Sequence, residues 1–110
     1  MKLPGAARAV VDPAKLQDYL LSPSHPVGRF KAFFFATLGY TARNWDVLQS
    51  ELLQVARTQD SESVEQSAYG EKFELRATLV GPNGRSSDII TVWIVRGDED
   101  FPRFVTAYPD

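Results

Sequence analysis

The feature that most constrains the fold is a set of alternating segments between Tyr69 and Tyr108, in which apolar residues recur at every second position. Successive side chains of a strand point to opposite faces, so these segments predict half-buried β-strands. The residues predicted to face inward are Leu75, Ala77 and Leu79, then Ile90, Val92 and Ile94, then Val105 and Ala107. Gly81-Pro82-Asn83-Gly84 predicts a hairpin turn, and Gly97-Asp98-Glu99-Asp100 predicts the next one. The second half of the chain is therefore predicted to be an antiparallel meander.

The first half of the chain carries helical signals instead. Asp12 before Pro13 supplies an N-cap acceptor and a first helical residue with a preset φ. Three helices are predicted, from Pro13 to Leu21, from Gly28 to Leu38 with Gly39 after it, and from a cap at Thr41 or Asn44 to about Thr58. The second helix is apolar almost all round and is predicted to be the central core helix. With an edge strand from Ser63 to Ala68, this predicts one α+β domain over residues 1–110: three N-terminal helices packed on one face of an antiparallel sheet of about four strands.

Composition limits the classes of function. A chain of 110 residues can bury a core without metal or disulfide, and it contains no cysteine for a thiolate metal site or a thiol nucleophile. The formal charge of −2 argues against a DNA-binding protein that depends on a global positive field. The longest apolar run, around Phe33-Phe34-Phe35, is too short to cross a bilayer, so no membrane association and a cytoplasmic location are predicted.

The polar positions of the strand segments form the first candidate site. The residues predicted to project from the sheet away from the helices are Arg76, Thr78, Arg85, Thr91, Trp93, Thr106 and Tyr108. Arginine offers a planar fork that matches phosphate oxygens, threonine offers a hydroxyl donor, and tryptophan or tyrosine can stack on a base. The pattern therefore suggests a platform for an anion and a base. The alternative is that Thr and Trp are ordinary strand residues, with the arginines lying over them.

His25 and Lys31 form the second candidate site. His25 is the only histidine, and it lies in a proline-containing loop close to Arg29 and Lys31. It is a candidate general acid or base, or else a loop histidine that bonds a helix terminus. Lys31 on an apolar helix either extends to the rim or points into a site between helices and sheet. The adjacent acids of the Gly97 turn cannot converge on one ion, and no cofactor or metal motif occurs, so no cofactor or metal ligand is predicted.

A longer ordered set of motifs resembles a known family. The set comprises Asp12-Pro13, Lys15-Leu16, Tyr19-Leu20-Leu21, His25-Pro26, Gly28, Lys31-Ala32, Phe34-Phe35, Leu38-Gly39-Tyr40, Tyr69-Gly70, Gly81-Pro82-Asn83-Gly84-Arg85, Thr91-Val92-Trp93, Pro102-Arg103 and Val105-Thr106-Ala107-Tyr108-Pro109. Across almost its entire length the chain is similar to an uncharacterised bacterial and phage domain family. Members occur as short stand-alone proteins, often encoded beside another small protein, and as the last domain of phage head-morphogenesis and polymorphic-toxin-like chains.

The resemblance implies a function by analogy. Helices followed by a four-stranded sheet at the tip of toxin-like chains are similar to the barnase, EndoU and RelE-like ribonuclease toxins. The hypothesis is a toxin-like ribonuclease domain that acts on RNA without metal. His25, Lys31, Arg85 and Thr91 are its predicted catalytic residues, and Arg76, Trp93, Thr106 and Tyr108 are predicted to bind the substrate. Two alternatives stay open: a non-catalytic protein that binds a small cognate partner in a toxin–antitoxin-like pair, and a structural module with no site.

Overall fold

The chain folds as three helices followed by a four-stranded sheet. A computed structural model describes residues 1–110. The elements are a 3₁₀ turn at Ala6–Arg8, α1 at Pro13–Lys15 with a π-helical continuation at Leu16–Leu20, α2 at Arg29–Ala36, a 3₁₀ turn at Ala42–Asn44, α3 at Trp45–Thr58, β1 at Ser61–Ser67, β2 at Gly70–Val80, β3 at Ser86–Arg96 and β4 at Pro102–Pro109. The strands lie in the order β1-β2-β3-β4, and all neighbours are antiparallel. The predicted α+β class with an antiparallel meander is confirmed.

The helices begin where side chains satisfy free amides. The Asp12 carboxylate accepts a hydrogen bond from the Ala14 amide at 2.9 Å, as an N-cap residue does. Before α3, the Asn44 side chain accepts from the Thr41 amide at 2.7 Å, and the Thr41 hydroxyl accepts from the Arg43 amide at 3.3 Å. Thr41 and Asn44 therefore form a capping box at the 3₁₀ turn that leads into α3, whereas Asn44 makes no side-chain cap bond at the start of α3 itself. The first helix is less regular than predicted, because only its first turn is α-helical.

The core lies between the helices and one face of the sheet. The helical side contributes Leu16, Leu20, Leu21, Phe35, Leu38, Tyr40, Leu48, Leu52, Val55 and Ala56, and the sheet contributes Phe73, Leu75, Leu79, Ile89, Trp93, Phe104 and Ala107. Cross-strand pairs such as Phe73 with Trp93 place these sheet residues on a shared face. The helices thus pack on one face of the sheet, as predicted.

The segment before α1 also reaches the sheet, which the sequence analysis did not predict. Val10 forms a parallel bridge with Arg103 in β4. The Val10 amide donates to the Pro102 carbonyl at 2.9 Å, and the Phe104 amide donates to the Val10 carbonyl at 2.9 Å. This segment covers the first part of the outer edge of β4 and leaves the rest of that edge to α1 and α2.

Helix α2 departs from its predicted role as an all-round core helix. Ala32 and Phe35 are buried, whereas Phe30 and Phe33 are 69% and 79% exposed. The prediction that these two phenylalanines belong to the core is wrong, because the helix contacts the sheet with one side only. No helix in residues 1–110 is both long and apolar enough to cross a membrane.

Candidate functional site

The predicted platform on the late strands does not form, because Thr91 and Trp93 lie in the core. Both side chains are fully buried. The Trp93 indole N–H donates to the Thr91 hydroxyl at 2.9 Å, and that hydroxyl donates to the Leu75 carbonyl at 3.1 Å. The prediction that these two residues project from the sheet away from the helices is wrong. Their polar atoms satisfy one another, so the pair can be buried without an unpaired donor.

The predicted inward orientation of Ile90, Val92 and Ile94 is also wrong, because Thr91 and Trp93 occupy the helix-covered face of β3. These residues alternate with Thr91 and Trp93 and pair across β2 with Arg76, Glu74 and Lys72, on the face away from the helices. In β4 the register shifts between the partners of Val92 and Trp93, so Val105 is an extra residue between Phe104 and Thr106. Phe104 is thereby turned into the core, and Thr106 lies on the face of Val92.

Arg85 lies at the opposite end of α2 from His25. It belongs to the turn between β2 and β3, where its carbonyl accepts from the Gly81 amide at 2.8 Å. This turn is held at the end of α2, since the Asn83 side chain donates to the Thr37 carbonyl at 3.0 Å. Lys31 and Thr37 are about 9 Å apart along the helix axis. Arg85 therefore does not join His25 and Lys31.

Arg76 and Tyr108 occupy the sheet face away from the helices. Arg76 is paired with the Asp110 carboxylate, with both oxygens 2.8 Å from the same guanidinium nitrogen. Arg76 and Tyr108 face Ile90 from the two neighbouring strands, so they are two strands apart. Burial, together with the negative charge of Glu74, raises the pKa of Tyr108. These two residues share a surface but form no site together with His25.

Three of the predicted residues do converge, around a tyrosine that was not predicted. At the β4 edge of the sheet, the Lys31 ammonium lies 2.7 Å from the Tyr19 hydroxyl and 3.1 Å from the Thr106 hydroxyl. The two hydroxyls are 3.3 Å apart. The His25 ring meets the Tyr19 ring edge-on, with centroids 5.1 Å apart and an interplanar angle of 83°. We call Tyr19, His25, Lys31 and Thr106 the β4-edge cluster. All four are half-buried.

The loop before α2 fixes His25. Its Nδ1 accepts hydrogen bonds from the Val27 amide at 3.0 Å and the Gly28 amide at 2.9 Å. An Nδ1 that accepts two amide protons cannot itself carry one, so the neutral ring holds its proton on Nε2. A Cβ on residue 28 would lie 2.1 Å from the Tyr19 carbonyl oxygen. Glycine at position 28 is therefore required for the start of α2 to approach Tyr19.

The surroundings of Tyr19 in the β4-edge cluster lower the pKa of its phenol. Burial raises the pKa of the Tyr19 phenol, but the hydrogen bonds of Lys31 and Thr106 and the charges of Lys31 and Lys15 outweigh it, so the pKa lies below its ordinary value. The Lys15 ammonium is 6.0 Å from the centre of the Tyr19 ring. A phenol whose anion is stabilised in this way can give up a proton more readily than an isolated one.

Sequence reasoning missed Tyr19 because its spacing is that of the apolar stripe of the first helix. Its hydroxyl, however, is brought to Thr106 by packing across 87 positions of the chain. The one available signal in the sequence is that Tyr19 places a hydroxyl on the apolar stripe of the first helix, while Lys31 places a cation on the next apolar helix. No group of three or more His, Cys, Asp or Glu side chains is arranged to hold a metal ion in residues 1–110.

Comparison with known proteins agrees with this architecture. A solved structure described as a contact-dependent growth inhibition toxin - immunity protein complex from Klebsiella pneumoniae 342 contains a chain of similar fold. The TM-score is 0.70, the sequence identity is 22%, and the match covers 96% of each chain. This likeness establishes a shared α+β fold.

The family is established by sequence. The chain belongs to DUF6883, described as a domain of unknown function, whose family profile matches residues 2–110. The resemblance to an uncharacterised domain family is thus confirmed. No curated protein matches the chain significantly.

Proposed function

We propose that this domain is a toxin-class ribonuclease that cleaves RNA without metal at the β4-edge cluster. One observation carries the proposal: an ammonium, two hydroxyls and a histidine, from three separate elements and the loop before α2, meet within hydrogen-bond or ring-contact distance at a half-buried edge. The fold shared with a chain of a toxin–immunity protein complex supports a role in a toxin and immunity pair, and the proposal takes the toxin side of that pair. The family resemblance also supports a link to toxins, because members of the similar family occur as the last domain of polymorphic-toxin-like chains.

The chemistry is transfer of the phosphoryl group to the neighbouring 2′-oxygen. The 2′-hydroxyl attacks phosphorus and releases its proton to water, while the bond from phosphorus to the 5′-oxygen breaks. Tyr19 delivers its proton to that leaving oxygen and is re-protonated by solvent. The products are a 2′,3′-cyclic phosphate and a 5′-hydroxyl. The lowered pKa of Tyr19 suits it to this role, because Lys31 and Thr106 stabilise the phenolate that forms.

Lys31, Thr106 and His25 stabilise the charge on the phosphoryl oxygens. Lys31 places an ammonium beside the phenol and a hydroxyl, where charge develops in the transition state. His25 contributes a fixed Nε2–H donor rather than a proton, because the Val27 and Gly28 amides occupy its Nδ1. This role replaces that of a general acid or base, which would require a proton on Nδ1.

The test is cleavage of RNA in the presence of EDTA. Purified wild-type protein is incubated with total tRNA, and the expected products carry 2′,3′-cyclic phosphate and 5′-hydroxyl ends. Tyr19→Phe and Lys31→Met are expected to abolish most of the cleavage. Tyr69→Phe and Lys72→Met are the matched controls, because Tyr69 is exposed at the β1–β2 turn and Lys72 lies within β2. Cleavage retained by Tyr19→Phe would refute the assignment of the site.

A non-catalytic partner-binding role is the second candidate. It is favoured by the exposed phenylalanines of α2, and the similar solved structure contains a toxin and an immunity protein. The same assay bears on the choice, since wild-type protein that leaves tRNA intact at micromolar concentration would contradict the ribonuclease proposal and leave the partner-binding role as the candidate to test. Expression in a bacterial host adds a second readout, because a toxin is expected to inhibit growth and its Lys31→Met variant is not.

A further inference from the structure

Helix α2 and the loop before it expose a band of apolar side chains. Val27, Phe30 and Phe33 are 60%, 69% and 79% exposed. Phe30 and Phe33 are one helical turn apart, so they lie next to each other on the surface. Single exposed apolar residues are common, but neighbouring large ones beside a groove are typical of an interaction surface. We call these three residues the α2 band.

A groove of about 480 Å³ adjoins the α2 band. Its apolar walls come from Leu21, Pro23, Ala32, Phe33, Ala36 and Tyr40. Phe33 belongs to both the groove and the band, so the two form one continuous surface. The volume suits one or two large apolar side chains of a partner, inserted between α2 and the segment that leads to α3.

The charge around this surface is positive, in contrast to the net charge of −2 of the whole chain. Arg29 and Arg43 line the groove, and none of its lining residues is a carboxylate. The Arg29 guanidinium lies 4.7 Å from the centre of the Phe30 ring, so its charge is held over the α2 band.

We propose that the α2 band and its groove dock an acidic protein partner, which inserts apolar side chains into the groove and pairs carboxylates with Arg29 and Arg43. A second copy of the chain fits poorly, because a twofold contact centred on this surface would bring the same arginines together. Most of the groove lining is apolar, which suits the side chains of a protein better than the phosphates of a nucleic acid backbone. A complementary anionic rim around an apolar centre is the arrangement of specific protein interfaces.

The same surface borders the β4-edge cluster. The Val27 amide is one of the two donors to His25, and Phe30 precedes Lys31 in the chain. A partner that covers the α2 band therefore lies against the proposed active site and restricts access to it. This consequence rests on the proposed ribonuclease function, whereas the docking surface itself does not.

The experiment uses two synthetic amphipathic helical peptides with the same Leu and Phe stripe, one flanked by Glu and the other by Lys. Binding to the full chain is measured by fluorescence anisotropy. We expect the Glu peptide to bind at least about tenfold more tightly, a difference of about 1.4 kcal/mol. Phe30→Ser with Phe33→Ser is expected to abolish binding, and Arg29→Glu with Arg43→Glu is expected to reverse the preference. Val64→Ser and Val80→Ser, at exposed valines of the sheet, are the matched controls.

Several outcomes would overturn the proposal. Equal affinity for both peptides would refute the preference for an acidic partner. Full binding by the phenylalanine double variant would show that the peptide contacts another surface. Self-association that the double variant abolishes would make a second copy the occupant, and RNA binding that it abolishes would make RNA the occupant.

The tRNA assay keeps the docking proposal separate from the ribonuclease proposal. Peptide discrimination by a protein that cleaves no RNA would leave the docking surface standing and remove the ribonuclease. Conversely, cleavage without discrimination would remove only the docking surface.

Discussion

Thr91 and Thr106 are one strand apart, yet they occupy opposite environments. Thr91 pairs with Ala107 on the helix-covered face, and its hydroxyl is used fully by Trp93 and Leu75. Thr106 follows the extra residue Val105 onto the other face, where its hydroxyl meets Tyr19 and Lys31 at a half-buried edge. A threonine beside an aromatic residue is structural in the first case. In the second case the threonine lies beside a cation and a phenol with a lowered pKa, an environment typical of functional sites.

The largest effect is expected on stability, when the indole ring of Trp93 is removed from the buried Thr91–Trp93 pair. Trp93→Ala empties a fully buried site opposite Phe73 and strips Thr91 of its donor, so we expect a loss of about 3–5 kcal/mol in the free energy of unfolding. Urea denaturation followed by circular dichroism measures it. Trp45→Ala, at the half-buried start of α3, is the comparison and should lose less. Equal losses would contradict the contrast drawn between a core residue and a peripheral one.

The second effect removes the cation from the β4-edge cluster. If Lys31 stabilises phosphoryl charge, Lys31→Met should lower kcat for RNA cleavage by about 10²–10³-fold, as loss of a preorganised donor does. The free energy of unfolding should change by about 1 kcal/mol or less, because the side chain is only half-buried. Lys15→Met is a graded control, since Lys15 lies 6.0 Å from the same ring without a hydrogen bond to its hydroxyl. It should lower kcat less than Lys31→Met does.

The third effect compares the two threonines directly. Thr91→Val leaves the buried Trp93 indole N–H without its acceptor, so we expect it to cost about 1–3 kcal/mol of unfolding free energy with no direct effect on kcat. Thr106→Val should show the reverse, with a small change in stability and a reduced kcat. A large stability loss in Thr106→Val, equal to that of Thr91→Val, would show that both threonines are structural.

These contrasts explain why the fold was predictable and the site only in part. Alternation and turn residues predict strands well, because each depends on neighbours within a few positions. Alternation cannot decide which parity is buried in β3, where Ile90, Val92 and Ile94 compete with Thr91 and Trp93. The apolar set was expected inside, but the hydrogen bond within the Thr91–Trp93 pair removes the penalty for burying the polar set.

The site depends on contacts between distant parts of the chain. His25 and Lys31 could be identified as candidates because each is unusual in its local sequence. The position of Tyr19 could not, because its hydroxyl is placed by α1 packing on β4, and the extra residue Val105 sets which face Thr106 occupies. Arg85 failed as a partner of Lys31 because the hairpin turn docks at the far end of α2.

The smallest effect concerns ionisation of Tyr19 itself. In the folded chain the pKa of Tyr19 lies below its ordinary value, whereas burial raises the pKa of Tyr40 to about 12 and that of Tyr108 above its ordinary value. In a spectroscopic pH titration near the phenolate band, Tyr19 should therefore ionise before those two.

Because the folded-state pKa of Tyr19 is below the unfolded one, its contribution to stability is absent at neutral pH. It appears as pH rises through the folded-state pKa, is complete above the unfolded value, and is lost again as pH falls. Tyr19→Phe should remove the ionisation that precedes those of Tyr40 and Tyr108, with the accompanying gain in stability relative to wild type at high pH. Tyr69→Phe leaves the β4-edge cluster intact and should retain the ionisation of Tyr19. An early ionisation that survives in Tyr19→Phe would mean that Lys31 and Thr106 do not stabilise a phenolate, and the difference between the β4-edge cluster and the buried Thr91–Trp93 pair would then be one of burial alone.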